Sequence, residues 1–296
     1  MSDARFDRAL LVDWSGAATP TTGADSCWVA SGRIDRPGPV RVANYATRRA
    51  TMSALRRSLD AARRNEERTL VAFDVSFGFS SGCADTLGLP GRPRWRALWR
   101  ALAERIEDDE HNRNNRFAVA DAMNAACGTR VFWGRPVGGR WEDLVHLPHR
   151  EVDAPGLAPM PLARLRACEE LAGPGVLSSW MLSGRGSVGG QVLTCLPYLE
   201  RLVEELADDV AVWPFDGPGD PGTAVVLAET WFGLWDWSAE RHRVRDAKQV
   251  AGALKAIRAL GPDGLATLLD PPRLAALSPG RRAEVLDEEG WTLGVA

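Results

Sequence analysis

The chain has little of what covalent frameworks and soft-metal sites are made from. Its 296 residues include only five cysteines and four histidines. Cys27, Cys83, Cys127, Cys168 and Cys195 are odd in number, far apart and never in a C-x-x-C pair. That spacing excludes a disulfide framework and a thiolate zinc site. The two histidines of "HLPHR" (146–150) stand outside any H-E-x-x-H pattern, so a zinc hydrolase has no anchor. The G-x-S-x-G spacing is missing, which leaves a serine-hydrolase reading without its nucleophile. The opening "MSDARFDRALL" has no apolar signal segment, and no later run reaches transmembrane length. A cytoplasmic protein without a membrane partner is the expectation. An excess of positive charge is lacking too: the formal net charge is −3, so nucleic acid could be held only by a local basic patch. The basic stretches "TRRATMSALRRSLDAARRNEER" and "SAERHRVRDAK" read first as solvated helix faces. No internal repeat or low-complexity tract is present.

What is there is the pattern of an α/β protein. A hydrophobic share of 45% and a charged share of 25% are ordinary for a globular chain, and this length buries a sufficient core. "RALLVDW", "SCWVASGRI" and "VRVANYAT" predict three strands separated by turns containing Gly or Pro. "TMSALRRSLDAARRNEE" predicts a helix capped by Thr51 or Ser53, with Leu55, Leu59 and Ala62 at helical spacing. "RTLVAFDVSFGF" predicts a fourth strand. From about 80 to about 220 the pattern loosens into two amphipathic helices and segments rich in Gly, Pro and Trp. "TAVVLAETWF" predicts a fifth strand, and "RDAKQVAGALKAIRAL" a helix. The order βββαβ…βα is that of a ribonuclease H-like fold. It implies a mixed five-stranded sheet flanked by helices, in one domain (1–296) with a mostly helical and loop insert (80–220) between the fourth and fifth strands.

Three apolar strands of this pattern finish on a carboxylate, at Asp13, Asp74 and Glu229. Burying an isolated charged carboxylate is costly, so such groups are hydrogen-bonded by backbone N–H groups or paired with cations. Taken singly, Asp13 reads as an Asx-turn, Glu229 as the partner of an arginine such as Arg241 or Arg245, and Asp246 as a first-turn helix acid. Taken together on one sheet, Asp13, Asp74, Glu229 and Asp246 converge at a single edge. Convergent carboxylates form an oxygen-donor site suited to Mg²⁺ or Mn²⁺, and such ions promote phosphodiester hydrolysis. Lys248 stands two residues beyond Asp246, where it can neutralise phosphate charge.

Other polar residues are candidates for substrate contact. Ser15 follows Asp13. Asn114, Asn115 and Arg116 lie together in "NRNNRF", where capping of the next helix is an equal reading. Arg135 in "FWGRP" has the guanidinium fork that matches phosphate. Ser187 and Gln191 fall in the glycine-rich "GRGSVGGQ", whose simpler reading is a tight loop before a helix. Of the twelve tryptophans, Trp95 and Trp99 predict one buried helix face, and Trp231, Trp235 and Trp237 read as core with base stacking as the alternative.

At "LVDWSGAA" and "VAFDVSFGF" the chain resembles the DUF429-like group of predicted nucleases. "NNRF", "FWGRP", "GSVGGQ", "VWPFD", "LAETWF", "RDAKQV" and "EEGWTLGV" are similar to further blocks of one subgroup, in order along most of the chain. Ser76 stands where relatives often carry proline. The resemblance implies a ribonuclease H-like, metal-dependent nuclease acting on nucleic acid or a nucleotide. The alternatives are a nucleotide-binding kinase or ATPase on the same fold, and a binding or scaffold protein that keeps its acids for structure.

Overall fold

The apolar runs of the first part form the strands their periodicity predicts. The computed structural model describes residues 6–146, 161–173, 175–184 and 187–295. β1 (Arg8–Asp13), β2 (Cys27–Arg33) and β3 (Arg41–Tyr45) make an antiparallel meander. Helix α1 (Arg48–Arg64) leads to β4 (Thr69–Phe73), which lies parallel beside β1 with Val12 opposite Phe73. The segments α2 (Cys83–Thr86), α3 (Arg94–Arg105), α4 (Arg116–Cys127), α5 (Ala167–Ala172) and α6 (Gly189–Leu206) follow. β5 (Val210–Val212) and β6 (Val225–Thr230) then return to the sheet, and α7 (Arg245–Leu269) crosses one of its faces. Short helices α8 (Pro272–Ala275) and α9 (Pro279–Glu284) precede β7 (Thr292–Leu293).

The sheet has seven strands, not the five expected. Its order is β3-β2-β1-β4-β6-β5, with β7 also on β6. β5 and β7 share that edge end to end: Val210–Val212 pair with Val225–Leu227, and Thr292–Leu293 pair with Glu229–Thr230. The expected insert therefore ends about ten residues early, because β5 belongs to the sheet. A three-residue "VAV" among Gly, Pro and Trp carries too little periodicity to be seen.

Both faces are covered, which explains why β1 reads as a continuous apolar run rather than an alternating one. Leu10 and Val12 join Val71, Phe73 and Leu227 in a core shared with α1, α3 and α6. Ala9 and Leu11 join Ala30, Ala72 and Ala228 on the other face, against Val250, Ala253, Leu254 and Ile257 of α7. Helix α1 presents Leu55, Leu59 and Ala62 inward as expected. Its cap is Thr47, whose hydroxyl accepts the Ala50 N–H at 3.2 Å; Thr51 and Ser53 lie inside the helix. Trp95 and Trp99 form the buried pair their spacing predicts, with ring centroids 4.8 Å apart. No described helix is long and apolar enough to cross a membrane.

The chain's last turn closes one end of the sheet. Glu288 accepts the Gly82 and Ala84 N–H groups at 2.7 and 2.6 Å, and Glu289 accepts those of Ser81 and Ala167 at 2.9 and 2.8 Å. Gly78 has no room for a side chain there, since a Cβ would collide with the Glu288 carbonyl oxygen. Beneath this turn, Arg166 grips Glu229 through two hydrogen bonds of 2.6 and 2.8 Å and Glu169 through one of 2.9 Å. All three side chains are buried. Replacing Arg166 with Met leaves two buried carboxylates without a counter-charge, and urea unfolding is expected to show a loss of about 3–5 kcal/mol.

Candidate functional site

The parallel pairing that places Val12 opposite Phe73 runs on by one hydrogen bond, from the Asp74 N–H to the Val12 carbonyl at 2.9 Å. Asp13 and Asp74 thus leave adjacent strands side by side. Asp246, in the first turn of α7, reaches the same end of the sheet, where its carboxylate accepts the Asp25 N–H at 3.1 Å. Burial and the charges of Asp74, Asp246 and Asp25 push the Asp13 carboxyl well above its usual range. Burial, opposed by the Phe232 N–H and reinforced by Glu229 and Asp246, pushes Asp74 up to about 7. Asp246 is raised as well, chiefly by burial. Buried carboxyls raised in this way are eased by protons or by a cation.

Asp13 takes no hydrogen bond from any described residue, so the Asx-turn reading fails. The turn after β1 is held instead by Ser15, whose hydroxyl donates to the Asp25 carbonyl at 2.6 Å and accepts the Ala17 N–H at 3.1 Å. Arg48, fully buried, donates to the Ser15 and Ala17 carbonyls and pairs with Asp108 through two contacts of 2.6 Å. It locks the loop before α4 onto that turn.

Asp13, Asp25 and Asp246 line a cleft of about 370 Å³. Ser15, Arg116, Ser183, Gly184, Ser187, Gly190 and Gln191 also line it. Among the described residues its cation is Arg116, whose Nη1 donates to the Asn114 Oδ1 at 2.7 Å and whose Nε is buried without a described partner. Burial and the nearby Arg48 lower Arg116 to about 10, which leaves it protonated at neutral pH. Helix α6 opens onto the same cleft with no acid in its first turn, so its N-terminal dipole favours an anion. Gly190 lets it approach, since a Cβ there would lie 2.9 Å from the Leu182 carbonyl and 3.2 Å from Arg116 Nε.

A second cavity, of about 520 Å³, opens beside Asp74 and shares Gln191 and Gln249 with the first. Gln249 escapes a reading based on acids and bases, although its i+3 spacing from Asp246 puts it on the same helix face. Lys248, one residue earlier, lines neither cavity.

Other expected site residues lie elsewhere or have other duties. Glu229 is not an open ligand: its oxygens receive Arg166 twice, the Thr292 hydroxyl at 2.6 Å and the Phe77 N–H at 2.9 Å. Its partner is neither Arg241 nor Arg245. Asn115 staples the loop before α4 by accepting the Glu107 N–H and donating to the Arg105 carbonyl. Asn114 steadies Arg116, and both asparagines border a different cavity. Arg135 donates to the Trp141 carbonyl, away from the acids. His149 and part of the glycine-rich loop, 185–186, fall outside the described residues. Among the described residues no three His, Cys, Asp or Glu side chains stand close enough to hold a metal ion by themselves. Mg²⁺ needs no such cage, since it binds through one or two carboxylates, waters and substrate phosphate oxygens. Asp13, unbonded and bordered by acids, has the donor chemistry for that.

Comparison of the chain with protein-family models, with curated proteins and with solved structures gives no match.

The raised Asp74 carboxyl links stability to pH. The folded state keeps its proton to about pH 7, whereas the unfolded chain releases it near the ordinary 3.8. This contribution is complete below pH 3.8 and is lost as pH rises through 7. Asp74→Asn is expected to gain on the wild type as pH rises from 4 to 8, by roughly 1–3 kcal/mol in urea unfolding without added metal. A difference that stays flat with pH would show that the charge is compensated in the fold.

Proposed function

We propose that this chain is a metal-dependent phosphodiesterase of nuclease type, on a ribonuclease H-like sheet of the DUF429-like group. The observation that carries the reading is Asp13: a carboxylate that takes no hydrogen bond from a described residue, set among acids, in a cleft whose described cation is Arg116. An acid kept for structure looks like Glu229, with its oxygens fully engaged. Asp13 is its opposite, which argues against the scaffold alternative. The described residues form one sheet core, where a kinase-like use of the fold calls for two. The strand order β3-β2-β1-β4-β6 supports the fold assignment.

Asp13 and Asp246 would hold Mg²⁺ or Mn²⁺. The ion would offset their mutual repulsion and polarise a phosphoryl oxygen. Arg116, lining the same cleft, would meet the phosphate with a guanidinium that is already desolvated, so its charge is weakly screened. The first turn of α6 would add the field of its dipole, its Gly189 and Gln191 N–H groups being taken by the Met181 and Val188 carbonyls. Asp74, pushed up to about 7 and next to Asp13 on the adjoining strand, would take a proton from the attacking water near neutral pH. Gln191 keeps the Asp13 turn in place, donating to the Trp14 carbonyl at 2.8 Å.

Hydrolysis of bis(p-nitrophenyl) phosphate with Mn²⁺ tests the reading. Asp13→Asn is expected to lose on the order of 100-fold or more in kcat. Arg116→Ala is expected to raise KM roughly tenfold. Activity unchanged in Asp13→Asn, or none in the folded wild type with either metal, would overturn the proposal.

A further inference from the structure

The cavity beside Asp74 differs in character from the cleft that holds Arg116. Val75, Val176, Leu177, Trp231 and Leu234 make much of its wall apolar. Leu177 and Leu234 are 37% and 41% exposed, and they are among the few large apolar side chains left open to solvent. The wall also holds Asp74 and the exposed Arg245, whose guanidinium lies over the Trp237 ring. Glu169 borders it, but its carboxylate is bound to Arg166. The Gln249 amide hydrogen-bonds to no described residue, and Gln191 uses only its amide nitrogen, on Trp14. Both glutamines belong to both cavities, and Asp13 opens into one while Asp74 opens into the other. The acids therefore stand at the junction of two chambers, one bordered by Arg116 and small polar groups, the other by apolar side chains, two glutamines and Arg245.

We propose that the second cavity is a nucleobase subsite: the substrate places one phosphate against Arg116 and its base against Trp231, with Gln249 and the free oxygen of Gln191 meeting the base edge. This rests on the phosphodiesterase reading and names its substrate class as one nucleotide unit. A flat heterocycle satisfies both features of the wall at once, since its face needs an apolar or aromatic surface and its edge needs donors and acceptors. A plain alkyl group would bury the Gln249 amide without a partner. The size, about 520 Å³, is that of a small-molecule pocket. A duplex does not fit two adjoining chambers of this kind, whereas a free nucleotide or an unpaired strand end does. Of the three tryptophans near the acids, only Trp231 borders this space. Trp235 donates to the Thr230 hydroxyl, and Trp237 lies under the Arg245 guanidinium.

Isothermal titration calorimetry with Mg²⁺ tests the subsite. AMP and UMP are expected to bind the wild type roughly ten- to a hundredfold more tightly than ribose 5-phosphate, the range of one stacked base. Trp231→Ala should erase that margin while leaving ribose 5-phosphate unchanged. Leu177→Glu, at an exposed wall position, should do the same and guards against misfolding of the tryptophan variant. A short oligothymidylate binding more tightly than UMP would assign the subsite to a strand end, and the reverse order to free nucleotides. Equal affinity for nucleotides and ribose 5-phosphate alongside Mn²⁺-dependent hydrolysis of bis(p-nitrophenyl) phosphate would overturn the base subsite and keep the phosphodiesterase. Trp231-dependent nucleotide binding without cleavage of any diester would do the opposite.

Discussion

The ion pair between Arg166 and Glu229 joins parts of the chain that no local interaction brings together. Glu229 lies near the end of a central strand, Arg166 comes from the long segment between β4 and β5, and Thr292, on the same carboxylate, comes from the last strand. A buried carboxylate at a strand end is tolerable only when its charge is matched and its oxygens are satisfied. Two guanidinium contacts, one hydroxyl and one backbone N–H meet that demand. Glu229 is paired in this way, whereas Asp13, Asp74 and Asp246 form no salt bridge with a described residue.

Similar residues at similar strand ends therefore have opposite chemistry. Surroundings decide this, not sequence position. Glu229 is locked and inert, whereas Asp13 is held by its backbone alone, through the Ser15, Arg48 and Gln191 contacts around its turn. The scaffold fixes where that carboxylate is while leaving its lone pairs open. A site that must bind and release a charged ligand needs that combination.

The longer strands, with Asp13 and Asp74 at their ends, were legible because long apolar runs ending on an acid leave a strong local trace, and Asp246 because it opens a clearly periodic helix. Short pairings were not. β5 and β7 are three and two residues long, and their register depends on neighbours already in place. Partner identity was hidden for the same reason: nothing near Glu229 in sequence points to Arg166, 63 residues away. In "NRNNRF" the decisive asparagine is Asn112, which accepts the Arg48 N–H and donates to the Thr19 and Ala46 carbonyls. Its neighbours Asn114 and Asn115 drew notice only because they adjoin Arg116. Lys248 attracted attention by its charge, yet the helical repeat favours Gln249, and that signal was present in the sequence.

The alanines on the far face of the sheet have a mechanical consequence. Ala9, Ala30, Ala72 and Ala228 give α7 a shallow seat, so the helix rides close to the strands. Asp246 is carried on the first turn of that helix. The width of the acidic cleft is thus set partly from behind, by the thickness of side chains that never touch it. An added methyl group under α7 would press on the helix that carries Asp246. Positions remote from any ligand can in this way tune the opening as finely as the residues that line it.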